Sequence, residues 1–325
     1  MPRTGPAAWL LYIALRLVFA LIEIFPIDRN LRTARWMARI WARILPRHYG
    51  RAVDNLQASL GRELSPGELA RIARESLESA TMFAIEAVCL PRLINAFTWH
   101  RYIRLVDSDE PLRQIISGRG AMLVTAHYGS FELVGHLLAC LGFDVRAVMR
   151  PIDLDYANRF IVRARRRHGL ILYNKRGATE HAEEALRSGA LVGFIGDQDA
   201  GSKGVFVDFF GRPASAYKSI ALLAMAAEVP VIVGYARRVT SGKARYEVAT
   251  QRIIQPEEWK QQADPIRWIT QAYTMAIEEF IRAEPGQYWW LHRRWKSQPG
   301  VRRRRKKVSP AVDSAETPTN AENSC

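Results

Sequence analysis

Cysteine is scarce: Cys89, Cys140 and Cys325 are the only three in 325 residues, and no two form a Cys-x-x-Cys pair. A zinc ribbon, a dithiol redox motif and a disulfide scaffold are therefore excluded, and nothing asks for an oxidising compartment. Glycine and proline, at 21 and 16, fall far short of collagenous or low-complexity content. The chain shows no internal repeat, no Gly-x-Ser-x-Gly elbow of a serine hydrolase, and no helix-turn-helix, RNP or zinc-finger signature. Acidic residues are in deficit, 32 Asp and Glu against 47 Lys and Arg, for a net charge of +15. Such an excess implies an anionic partner: nucleic acid, a lipid head-group surface or an acidic substrate. What the chain has in quantity is apolar side chains, 48% of it, which fill the core of one large domain or two small ones.

The charge is not a tail effect. Residues 302–325 carry six basic residues in one run, Arg302 to Lys307, and three acidic ones, so +12 remains on the rest. This segment lacks apolar periodicity and reads as a disordered basic tail, either solvated or adhering to an anionic surface.

At the other end, Ala7 to Phe25 is apolar except for Arg16 and Glu23. Nineteen helical residues make a rod of roughly 28 Å, close to the thickness of a hydrocarbon core. No small-x-small cleavage site follows, so residues 1–27 read as an uncleaved membrane anchor, with a single span and an interfacial helix both open. Arg29, Arg32, Arg35, Arg39, Arg43 and Arg47 then recur at helical spacing, with Met37, Ile40, Trp41, Ile44 and Leu45 on the remaining faces. That is the pattern of a basic amphipathic helix on a membrane surface, or of a solvated face over a core helix. Basic residues directly after the anchor place this side in the cytoplasm.

Residues 28–98 read as helical, with Ser65, Pro66 and Glu68 forming a capping box. From about residue 99 to 301 short apolar runs alternate with amphipathic stretches. Strands are expected at Ala121–Ala126, Val145–Met149, Leu170–Tyr173, Leu191–Ile195, Val231–Ala236 and Arg245–Thr250. Helices are expected at Phe131–Leu141, Asp155–Arg167, Ala178–Ser188, Ser215–Ala227 and Pro265–Arg282. The fold class is therefore α/β, a largely parallel central sheet flanked by helices, preceded by the anchor helix and a helical segment.

Chemistry concentrates where the run Met122-Leu123-Val124-Thr125-Ala126 delivers His127 at a strand end, with Gly129 in the turn and Glu132 in the next helix. Functional crevices of α/β sheets open at such ends. Imidazoles as a class titrate near neutrality, so a histidine there can take a proton from a hydroxyl while a nearby carboxylate, Glu132, orients it. Asp197 follows another apolar run and is a second candidate for the crevice, or else caps a turn.

Three stretches together carry a resemblance: His127-x4-Glu132; Asp197-Gln198 leading to Phe209-Phe210-Gly211; and Tyr288-Trp289-Trp290-Leu291-His292-Arg293-Arg294. They resemble the late acyltransferases of lipid A biosynthesis, the lauroyl/myristoyl acyltransferase family, over roughly residues 10–300. Arg150-Pro151 and Arg163 near Gly169 are similar to its middle section. The resemblance implies a glycerolipid-acyltransferase-like fold and transfer of a fatty acyl chain, from acyl carrier protein, to a hydroxyl of an anionic phosphorylated glycolipid at the cytoplasmic face of the inner membrane. In that reading His127 is the base and Glu132 orients it, while Arg150, Arg163, Asp197 and Gln198 meet substrate. Thioesters are already activated, so neither a metal nor another cofactor is required. A phosphatidylinositol mannoside or lysophospholipid acceptor, a phospholipid hydrolase and a nucleic-acid-binding protein are the alternatives. The last is disfavoured because the densest basic pattern follows an apolar anchor. The Phe-Phe-Gly turn reads as packing or as acyl-channel lining, and His292-Arg293-Arg294 as a phosphate contact or a structural strand with solvated arginines.

Overall fold

The computed structural model describes residues 5–149, 156, 158, 159, 162, 169–174, 178–240 and 242–300. Arg150, Arg163, most of the helix expected at 155–167 and the basic tail lie outside the described residues.

Four helices come first: α1 (Pro6–Ile24), α2 (Ile27–Ile44), α3 (Pro46–Leu60) and α4 (Pro66–Leu93). Of these α1 is long and apolar enough to cross a membrane and is almost wholly exposed. Its last carbonyls are capped by the Asn30 carboxamide, which donates to Ile22 O and Phe25 O, and Glu23 pairs with Arg92 of α4. On α2 the small and apolar residues Leu31, Ala34 and Ala38 are buried at helical spacing and seat it on α4. Arg29, Arg32, Arg39 and Arg43 stay exposed beside exposed Trp36, Met37 and Ile44, while Arg35 pairs with Glu78. The capping box starts α4 as expected: Ser65 N donates to Glu68 Oε2 at 2.8 Å and Glu68 N to Ser65 Oγ at 3.4 Å.

The sheet unit follows as β1 (Ile103–Val106), α5 (Asp109–Ile116), β2 (Ala121–Thr125), α6 (Leu133–Cys140), β3 (Val145–Met149), β4 (Ile171–Asn174), α7 (Ala178–Arg187) and β5 (Leu191–Ile195). Next are β6 (Val205–Phe209), β7 (Arg212–Ala216), α8 (Ser219–Ala227), β8 (Val231–Arg238), β9 (Tyr246–Ile254), α9 (Pro256–Lys260) and α10 (Pro265–Ala283). Seven strands order as β1-β9-β8-β2-β5-β3-β4, and the β8–β9 pair alone is antiparallel. The central strand β2 is apolar on both faces, as a covered parallel strand must be. Met122 and Val124 face a core shared with Ile269, Tyr273 and Ile277 of α10 and, through Ala52, Leu56, Leu69 and Leu77, with α3 and α4. Ala121 and Leu123 face Leu138 and Val145 on the other side. One core thus joins the helical segment to the sheet.

β6 and β7 form a separate hairpin whose two-residue turn is Phe210-Gly211, both with positive φ. Phe210 holds this left-handed conformation because its N–H donates to Glu278 and its ring packs edge-on against Trp290, 5.2 Å between centroids. Phe209 stacks on Trp295 at 5.5 Å. Both phenylalanines are buried, so the turn is packing; it does not line the apolar cavity described below.

Candidate active site

Register decides which side chains meet. β2 and β5 are parallel neighbours, with Thr125 opposite Ile195. His127 and Asp197 each lie two residues further on, at the same carboxyl edge. The Asp197 carboxylate takes both bonds that this position offers. Oδ1 accepts from His127 Nδ1 at 2.8 Å, and Oδ2 accepts from the His127 backbone N–H at 3.2 Å. Both residues are buried. A carboxylate only accepts, so the Nδ1 proton faces Asp197 and Nε2 carries the free lone pair of the neutral ring. Burial works to raise the Asp197 carboxyl, but His127, and after it His292 and Arg294, outweigh burial and hold it well below the usual carboxylate range.

The carboxylate bonded to the His127 ring is that of Asp197, where the His-x4-Glu spacing assigned the orienting role to Glu132. Glu132 sits at the N-cap of α6, half-buried, in the lining of a neighbouring cavity. The reason is geometric. A residue five positions along passes through the turn onto the following helix, while a parallel neighbour strand delivers its side chain level with the imidazole.

The turn that carries His127 is pinned at every step. His127 O accepts from Trp289 N at 3.0 Å, Gly129 N donates to Gln287 O at 3.1 Å, and Ser130 N donates to Ala236 O at 2.8 Å. Gly129 has φ +56°, and a Cβ there would lie 2.1 Å from Ala236 O, so only glycine fits. Below the turn Arg238 and Glu86, both fully buried, form a bidentate pair with two contacts of 2.6 Å. Arg238 also donates to Gly129 O at 3.2 Å, and Tyr246 OH donates to Glu86 at 2.9 Å.

A residue that the sequence offered only as a phosphate contact or as part of a structural strand stands beside the His127–Asp197 pair. The His292 ring lies 4.3 Å from that of His127, centroid to centroid. Burial, with His127 and Arg51 adding to it, pushes the His292 imidazole down to about 4 although Asp197 acts the other way. It is therefore uncharged at neutral pH. The segment from Tyr288 to Arg294 is a series of turns, not a strand. Arg293 is exposed, but Arg294 is buried, donating to the carbonyl oxygens of Ser215 and of Gln198. Gln198 itself is exposed next to Asp197. The aromatic rings of Phe131 and Trp289 stand 5.0 and 5.2 Å from His127, and Phe83 of α4 stacks on Phe131 at 4.2 Å.

Behind Phe131, between the sheet and helices α5 and α6, lies an apolar cavity of about 240 Å³. Leu112, Ile115, Leu123, Leu138 and Leu172 contribute to its walls, and Thr125 and Glu132 are polar residues in its lining. An imidazole held by a buried carboxylate, flanked by an apolar cavity, suits proton abstraction from a hydroxyl beside a bound hydrocarbon chain.

A family model described as bacterial lipid A biosynthesis acyltransferase matches residues 2–297. A lipid A biosynthesis palmitoleoyltransferase of Escherichia coli (strain K12) is 28% identical over 197 residues, 59% of this chain and 60% of the relative. A lipid A biosynthesis acyltransferase of Shigella flexneri matches to the same extent. The chain thus spans less than two thirds of the length of these two relatives. A lipid A biosynthesis lauroyltransferase of Escherichia coli (strain K12) is 24% identical over 304 residues, 90% of this chain and 94% of that one.

Proposed function

The chain belongs to the bacterial lipid A biosynthesis acyltransferase family, and from that premise we propose that it moves a fatty acyl chain from an acyl carrier protein thioester to a hydroxyl of a lipid A precursor. The observation that carries this reading is the 2.8 Å contact from His127 Nδ1 to Asp197 Oδ1 beside an apolar cavity. Asp197 fixes the tautomer, so Nε2 takes the proton of the acceptor hydroxyl as its oxygen attacks the thioester carbonyl. The imidazolium that forms is stabilised by the buried carboxylate. The carbon–sulfur bond then breaks, and the proton passes from Nε2 to the departing thiolate. The acyl chain lies in the cavity, its thioester end towards His127.

The exposed apolar α1, with the exposed arginines and Trp36 of α2, supports binding to an anionic bilayer, the inner membrane viewed from its cytoplasmic side. Arg150 and Arg163 remain assigned to acceptor phosphate on sequence grounds, since guanidinium groups bind phosphate bidentately. Gln198, exposed beside Asp197, is assigned to substrate with them.

The test is incubation of purified protein with acyl carrier protein thioesters and phosphorylated glycolipid precursors, followed by mass spectrometry. An acceptor heavier by one acyl group is expected. Release of free fatty acid without an acylated product would overturn transfer in favour of hydrolysis. Acylation of a lysophospholipid or a phosphatidylinositol mannoside alone would change the acceptor and keep the mechanism.

A further inference from the structure

General-base catalysis needs one imidazole and one carboxylate, and this centre holds a second imidazole as well. Among the described residues no hydrogen bond reaches either ring nitrogen of His292. One ligand atom from each of His127, Asp197 and His292 lies within 4.8 Å of the others. Two imidazole nitrogens and one carboxylate oxygen are the donor set of three-ligand zinc sites, which keep a fourth position open. Tetrahedral zinc, at about 2.0–2.1 Å from each donor, needs them roughly 3.4 Å apart, so side-chain rotations of about an ångström close the cluster. Asp197 supplies the negative charge, and the rings of Phe131, Trp289 and Phe83 exclude water from one side. A magnesium-class ion, which demands oxygen ligands in an octahedron, finds nothing comparable here.

We propose that His127, Asp197 and His292 form a binding site for one zinc-class divalent ion, and that the ion silences the centre. Silencing follows because the metal occupies the His127 lone pair that would otherwise take the acceptor's proton. If Nδ1 is the ligating atom, its proton moves to Nε2, which is then a donor with no lone pair for the acceptor's proton. The binding half stands on the geometry alone; the silencing half rests on the acyl-transfer reading.

The experiment uses the full-length, metal-stripped protein in detergent and chelator-buffered zinc. One zinc per chain is expected, with affinity at least tenfold weaker in His292→Gln and in Asp197→Asn, and with no competition from magnesium. To separate lost binding from lost folding, His292→Cys retains a ligand. Its cobalt complex should gain a thiolate-to-metal absorption that the wild-type cobalt complex lacks. Absence of saturable one-to-one binding, unchanged affinity in His292→Gln, or a His292→Cys cobalt spectrum without thiolate absorption overturns the site. Where the metal-stripped protein transfers acyl groups, saturating zinc should abolish turnover and chelation should restore it. Persistent turnover with zinc bound overturns the silencing half and leaves the site standing. Failure of the metal-stripped protein to transfer acyl groups overturns the acyl-transfer reading while the zinc titration still decides the site.

Discussion

The Asn55 carboxamide donates to the carbonyl oxygen of His292 at 3.0 Å, tying α3 to a segment 237 residues downstream. The same group donates to Trp290 O at 2.8 Å, Arg51 donates to Leu291 O, and Ser76 of α4 donates to Tyr288 O at 2.6 Å. The helices that follow α1 therefore also hold the second imidazole. Replacing Asn55 by Ala strands two carbonyls, which should cost about 1–3 kcal/mol of stability. Because the loss falls on the segment whose Trp289 N–H holds the His127 carbonyl, kcat should drop about tenfold with KM nearly unchanged. Steady-state kinetics alongside urea unfolding checks this; a destabilised variant with wild-type kcat would show that the tie is structural only.

Asp197 rather than Glu132 should set the tautomer of His127. In Asp197→Asn the carboxamide can present its N–H groups to Nδ1 and favour the wrong tautomer, so kcat should fall by roughly 10²–10⁴. Nitrogen-15 NMR of the imidazoles separates the two acids: the Nδ1 and Nε2 shifts of His127 should move in Asp197→Asn and stay in place in Glu132→Gln. The reverse pattern would return the orienting role to Glu132.

Vesicle binding should depend on the exposed arginines of α2. Arg29, Arg32 and Arg43 are exposed, and none of them enters an ion pair among the described residues. Each is worth about 1 kcal/mol near an anionic surface. Changing all three to Glu should remove most salt-sensitive binding to vesicles containing anionic lipid and spare the part owed to α1. Flotation at low and high salt reads the two parts separately, and equal recovery of wild type and variant at low salt would assign this face to solvent.

Much of the sheet was legible because buried strands announce themselves as short apolar runs. All six expected strands are present within a few residues of their bounds. What escaped was short or interrupted. β1 has four residues, α5 is eight long with Pro111 in its first turn, and the apolar pattern of the β6–β7 hairpin is interrupted by Asp208 and Pro213. The helix expected from Ser215 begins at Ser219, since Ser215 and Ala216 finish β7. At the site His127 could be read from its strand end. Asp197 could be placed at the same crevice but not paired with His127, because it is 70 residues away and meets it only through the register of two parallel strands. His292 lies in a turn segment without periodicity, so its motif was visible and its contact was not.

Acid should destabilise the fold through His292. Its imidazole is shifted from 6.5 in the unfolded chain to about 4 in the folded one. As pH falls below 6.5 the unfolded state takes the proton first. Stability is then complete above that value and declines down to about pH 4, by on the order of 3 kcal/mol in all. Asp197 acts in a lower window: its carboxyl is depressed from 3.8, so its contribution is lost only below about that pH. Urea midpoints measured from pH 7.5 to 4.5 should fall for the wild type and fall distinctly less for His292→Gln. Parallel curves would mean that the ring is freely protonated in the folded protein.

Acyl-chain choice should yield to a single change in β5. Gly193 stands opposite Leu123 and lines the cavity, and an added Cβ would have its nearest neighbours at 3.8 and 4.0 Å, ordinary contact distances. Valine suits a strand and its methyl groups would project into space the chain needs. Displacing two methylenes of a long donor costs about 1.6 kcal/mol at roughly 0.8 kcal/mol each, somewhat more than tenfold in kcat/KM. A donor short enough to stop before Gly193 loses nothing. Competition between acyl carrier protein thioesters of different length, read by product mass, should therefore shift towards the shorter chain in Gly193→Val. An equal loss for every length would place the hydrocarbon elsewhere, because a plug in an unused cavity lowers stability without choosing between donors.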